Sequence, residues 1–81
     1  MNKELEKRIL KCLNKVRSVP AEIMGPDVNL RDDLEMDSLD MVMFQVEIED
    51  EFRIVFDPIE DDFERIFETF GSLCSYLESR G

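Results

Sequence analysis

Eighty-one residues make one domain, 1–81, with no room for a second core; a chain this short buries somewhat over ~60% of its unfolded surface, so a large preformed catalytic cleft is not expected. Twenty acids against ten bases give a net charge of −10, which argues against nucleic acid and anionic membranes as partners and favours basic protein patches. The charge is uneven: residues 1–20 hold six bases against two acids, a net of +4, and residues 21–81 hold four bases against 18 acids, a net of −14.

The first predicted helix runs from Lys3 to about Val16. Leu5, Ile9, Cys12, Leu13 and Val16 fall on one stripe at helical spacing. Asn2 suits its N-cap, and Glu4 and Glu6 favour the positive helix end. Lys3, Lys7, Lys11 and Lys15 recur every four residues and read as a solvated face rather than a docking patch. Pro20 is expected to stop this helix. Residues 18–37 then form a long connection punctuated by Pro20, Gly25, Pro26 and Asn29. A loop of that length in so small a domain needs pinning, which Val19, Ile23, Met24, Val28, Leu30 and Leu34 can supply. Short helical turns are expected at 21–24 and 30–34.

The second helix is predicted from Ser38 to Phe52. Met41, Phe44, Ile48 and Phe52 form a stripe assigned to the core. Leu39, Val42, Met43 and Val46 form a second stripe that a single-layer bundle leaves at least partly exposed. Contiguous exposed apolar surface rimmed by charge marks a binding site, and the rim here is Asp37, Asp40, Glu47, Glu49 and Asp50. Arg53-Ile54-Val55-Phe56 reads as a buried crossing. Asp57-Pro58 suits a helix start, with Ile59, Phe63, Ile66 and Phe67 on a brief amphipathic helix. Thr69 caps the last helix, about Phe70 to Ser79, with Phe70, Leu73, Cys74 and Leu77 inward. Gly71 falls in its first turn, where glycine is tolerable.

Histidine is absent, which removes the common general base and any Ser-His arrangement. Cys12 and Cys74 form no metal spacing and read as small buried hydrophobes in a reducing compartment. The run 57–68 has an acid at each end, as a twelve-residue calcium loop does, but Ile59 and Asp62 stand where a ligand and a glycine are required. No metal site and no autonomous enzyme are expected. No signal peptide or membrane-spanning stretch is visible, so a cytoplasmic monomer is expected.

That leaves Ser38. Asp37 can cap the helix itself, so the serine is not required for capping. A hydroxyl at a helix N-terminus is well placed to carry a phosphodiester, because free backbone N–H groups and the dipole favour an anion there. Asp37 and Asp40 disfavour non-covalent phosphate, so a covalently attached one fits better, with the acids kept for a basic partner.

The segment Leu34-Glu35-Met36-Asp37-Ser38-Leu39-Asp40, followed by Val42 and Ile48-Glu49-Asp50-Glu51-Phe52, resembles the acyl carrier proteins. The likeness extends to Leu30-Arg31-Asp32-Asp33-Leu34 and to Thr69-Phe70-Gly71-Ser72-Leu73 with Tyr76 and Leu77. It implies an all-α four-helix bundle with a long first loop and a short third helix. It implies 4′-phosphopantetheine joined through phosphate to Ser38, installed from coenzyme A by a separate Mg²⁺-dependent phosphopantetheinyl transferase. Acyl groups then ride as thioesters, shielded among the helices, to acyl-processing enzymes with basic docking patches. By position, Asp37, Leu39, Asp40, Val42, Val46, Glu49 and Asp50 form that docking surface. The resemblance favours the acyl over the peptidyl branch, where histidine often precedes the serine. Glu35 stands where glycine is common, Met43 where housekeeping carriers have an acid, and Gln45 where an aliphatic is usual. A housekeeping fatty-acid carrier and a specialised polyketide or lipid carrier both stay open, as does a carrier-like interaction module acting without the prosthetic group.

Overall fold

In chain order, α1 (Lys3–Val16), a 3-10 turn (Ala21–Ile23), α2 (Ser38–Phe52), α3 (Phe63–Ile66) and α4 (Phe70–Arg80) make up the computed structural model, which describes residues 3–57 and 62–80. The architecture is all-α, four helices with a short third. Asn2, Pro58 and Ile59 lie outside the described residues, so their expected roles at helix starts are not seen.

The apolar stripe of α1 buries Leu5, Ile9, Cys12 and Leu13, chiefly against α2. Ion pairs fasten the same two helices along their edge: Arg8 and Lys11 on Glu51 at 2.9 and 3.6 Å, and Lys15 on Glu47 at 3.4 Å. Exposed pairs of this kind contribute roughly 0–1 kcal/mol each, so apolar burial holds the helices and the ions set their register. The Arg8 hydrogen bond holds the Glu51 carboxyl below the usual carboxylate range. Two members of the lysine row thus face α2 carboxylates rather than water alone.

Helix α1 ends ahead of Pro20. Asn14 Nδ2 donates to Leu10 O at 2.8 Å, and Asn14 Oδ1 accepts from Val19 N at 3.0 Å. The side chain so ties the exit of the helix to the first residues of the loop, and Val19 is buried.

The long connection is pinned twice. Leu30, Leu34 and Met36 are buried in the common core. Its backbone also runs against the start of α4: Gly71 N donates to Pro26 O at 2.9 Å, Phe70 N to Val28 O at 3.0 Å, and Leu30 N to Glu68 O at 3.0 Å. Asn29 and Thr69 form an isolated antiparallel bridge. Gly71 is the residue that permits this approach, since a Cβ there would lie 2.7 Å from Pro26 O.

Helix α2 begins and ends where the sequence places it. Phe44 and Ile48 are buried, while Met41 and Phe52 are half-buried. Its C-cap Arg53 adopts φ 54°. The expected buried crossing at 53–56 is corrected: Val55 is 75% exposed and only Phe56 is buried. The reason is aromatic. Phe56 sits 5.4 to 5.5 Å from the rings of Phe63, Phe67 and Tyr76, and one anchored ring fixes the segment without burying its neighbours. Helix α3 is capped by Asp62, which accepts from Arg65 N at 3.3 Å, so its described cap is five residues beyond Asp57. Helix α4 buries Phe70, Leu73, Cys74 and Leu77. Thr69 and Ser72 cap it reciprocally, each backbone N–H donating to the other's hydroxyl at 3.0 Å.

Cys12 and Cys74 are buried and unbridged. Burial, more than the nearby carboxylates, pushes both thiols up to about 11, which leaves them inert at neutral pH.

Candidate functional site

Ser38 occupies the first position of α2 and is exposed. Asp37 is the N-cap: its Oδ1 accepts from Asp40 N at 2.8 Å, and its carbonyl accepts from Met41 N at 3.0 Å. The serine hydroxyl is therefore free of the capping role. The residue before this turn is held in a less common conformation. Glu35 adopts φ 53°, a left-handed geometry that glycine takes at no steric cost. Buried Met36 and the hydrogen bond from its N–H to Arg31 O at 3.0 Å then bring the chain back to Asp37.

Two arginines, neither singled out by the sequence pattern as part of the site, converge on this turn. Arg31 Nη2 donates to Ser38 Oγ at 3.3 Å. Arg17 reaches Asp40 at 3.7 Å and Glu35 at 3.9 Å. The sequence offers Asp37 and Asp40 as acids that disfavour non-covalent phosphate at Ser38; the structure adds cations beside them. One of those acids is paired within the chain, and a guanidinium touches the hydroxyl itself. A short loop motif positions Arg31. Asn29 Oδ1 accepts from Arg31 N at 3.0 Å and Asp32 N at 2.7 Å, while Asp33 Oδ2 accepts from Asn29 N at 2.7 Å. The only prior signal in the sequence was Arg31 itself, the single base between residues 21 and 52.

These groups suit a covalently held phosphate. The oxygen that would carry it is exposed, first-turn N–H groups of a helix favour an anion, and Arg31 offers a planar cation. A cleft of about 410 Å³ opens between the long loop, α2 and α3. Met41, Val42, Phe63 and Phe67 form its apolar side; Asn29, Arg31, Asp32, Gln45, Glu64 and Glu68 form its polar side. Phe67 packs edge-on to Phe44, with ring centroids 5.8 Å apart, so the cleft rests on the core. Arg31 belongs to both the cleft and the serine turn.

The second stripe of α2 faces solvent: Leu39 is 65%, Val42 55%, Val46 47% and Met43 43% exposed. Asp37 and Asp50 flank it and are exposed. The three other acids of the rim have internal partners, Glu47 on Lys15 at 3.4 Å among them. Asp40 is paired with Arg17, and Glu49 Oε2 accepts from Phe56 N at 2.9 Å. Among the described residues, no group of three or more metal-binding side chains comes together, and no helix is long and apolar enough to cross a membrane.

The phosphopantetheine attachment-site family matches residues 7–77 of the chain. An acyl carrier protein of Thermotoga maritima is 36% identical over 74 residues, which cover 83% of this chain and 88% of that protein. An acyl carrier protein of Exiguobacterium sibiricum is 37% identical over 54 residues, which cover 67% of this chain and 65% of that one. The chain thus spans somewhat under two thirds of the latter's length. No solved structure gives a significant match.

Proposed function

Because the chain belongs to the phosphopantetheine attachment-site family, whose members are carriers and not catalysts, we propose that it bears its prosthetic group on Ser38 and serves enzymes that build acyl chains. The observation that carries this reading is the exposed Ser38 hydroxyl at the first position of α2, freed from capping by Asp37 and met by Arg31. The family's group, 4′-phosphopantetheine, supplies a thiol on which acyl groups are held as thioesters.

Each part of the site has a task in this scheme. Ser38 Oγ is the point of attachment for a phosphopantetheinyl transferase. The cleft along Met41, Val42, Phe63 and Phe67 shelters apolar cargo from water. Leu39, Val42, Met43 and Val46, with Asp37, Asp40, Glu49 and Asp50 around them, form the surface that client enzymes read. Acids on the rim meet basic patches and steer encounter, while the apolar centre supplies desolvated contact. The clients belong to fatty-acid, polyketide or specialised lipid biosynthesis, and the setting is the cytoplasm. Gln45 in the cleft and Met43 on the docking face leave a specialised pathway as open as the housekeeping one.

Incubation with coenzyme A, Mg²⁺ and a phosphopantetheinyl transferase is expected to add one phosphopantetheine to the wild type and none to Ser38→Ala, as read by intact mass. An unmodified wild type across several promiscuous transferases overturns the reading. Capture of the same client enzymes by wild-type and Ser38→Ala protein would instead support an interaction module that works without the arm.

A further inference from the structure

Arg31 is the one base among eleven acids between residues 21 and 52. Among the described residues it forms no ion pair, although Asp32 and Asp33 adjoin it in sequence. Asp33 is occupied with Asn29 N. The Arg31 backbone is fixed by the Asn29 side chain, and the buried Leu30 anchors the preceding position. The guanidinium on this fixed stem is exposed and touches Ser38 Oγ at 3.3 Å.

A neutral hydroxyl is a weak acceptor for a guanidinium in so acidic a segment. A phosphodiester on the same oxygen would present two non-bridging oxygens sharing one negative charge beside it, matching the planar fork of arginine. We propose that Arg31 is a positioning residue that holds the phosphate of the arm attached at Ser38, and so keeps the root of the arm at the edge of the cleft Arg31 also lines. This rests on Ser38 being the attachment site. It goes beyond it by assigning the arm a resting state within the chain, which a basic client surface releases by competing for the same phosphate.

The test uses the full-length holo-protein. Wild type, Arg31→Gln and Arg31→Lys are loaded enzymatically from coenzyme A, and intact mass verifies one arm on each. Circular dichroism verifies that each is folded. The ³¹P chemical shift and transverse relaxation of the phosphodiester are then measured against salt. In wild type at low salt, relaxation is expected to be fast and to slow as salt screens the pair. In Arg31→Gln the ratio of held to free phosphate is expected to fall about fivefold, and the salt dependence to vanish. Arg31→Lys is expected to lie between, because a point charge replaces the fork. Loaded, folded proteins with identical ³¹P shift, relaxation and salt dependence would overturn the role of Arg31 and leave the carrier reading standing. Failure of wild type to load overturns both.

Discussion

Single residues decide how closely the segments of this chain approach one another. A methyl group at residue 71 would stand 2.7 Å from Pro26 O, and backbone cannot swing aside as a flexible side chain does. Gly71→Ala is therefore expected to destabilise the domain by about 1–3 kcal/mol, read as a lower urea midpoint with an unchanged slope. A variant as stable as the wild type would show that the loop yields freely there. The sequence places Gly71 in the first turn of a helix and makes it merely tolerable, because Pro26, its partner, is remote in the chain. Glu35 is the opposite case. Its φ of 53° is a geometry that glycine takes at no steric cost, and nothing in the residue type announces it. Local roles were legible: Asp37, three residues before Asp40, caps α2 as its residue type and position imply. The Arg31 contact was not legible, since it depends on how Asn29 folds the loop back toward Ser38.

At the level of elements, α2 divides into a face that stabilises and a face that does not. Phe44 is fully buried and stacks edge-on to Phe67. Phe44→Ala is expected to cost about 3–5 kcal/mol, comparable to the whole stability of a domain this small, on the order of 5 kcal/mol. Val42→Asn and Val46→Ser replace exposed side chains and are expected to change stability by no more than roughly 0.5 kcal/mol. The same two changes should weaken transfer of cargo to a client enzyme. Urea melts beside a transacylation assay check both halves. Equal transfer by the surface variants would remove that face from the docking surface. Helical periodicity made this division readable, because two stripes on one helix cannot both be covered by a single layer. Periodicity says nothing about Arg53 to Phe56. There a left-handed Arg53 turns the chain and the segment to Phe56 depends on one ring finding Phe63, Phe67 and Tyr76, and a run of β-branched residues looks more buried than it is.

Over the whole molecule, charge sets the conditions under which the fold is comfortable. Residues 21–81 carry 18 acids against four bases, while among the described residues α1 pairs with Glu47 and Glu51, and Arg17 just beyond it with Glu35 and Asp40. Added salt weakens these exposed pairs and also screens the repulsion between the remaining acids. The second effect is expected to win, because the pairs are individually weak and the surplus charge acts collectively. The melting temperature should rise with ionic strength, and Mg²⁺ should raise it at lower concentration than Na⁺. A melting temperature insensitive to both would mean that the acids are too dispersed to repel. Composition alone carried that expectation, as it carried the single core; it carried no information about which segments are laced together. The strip Pro26–Leu30 against Glu68–Gly71 is such a lacing, and it has a consequence in time. A chain emerging from the ribosome completes the Ser38 turn long before residue 71, yet the loop bearing Arg31 has nothing to button onto until then. The finished shape of the serine's surroundings thus waits until residues 68–71 are made, and an enzyme that recognises that shape would pass over a chain not yet synthesised that far.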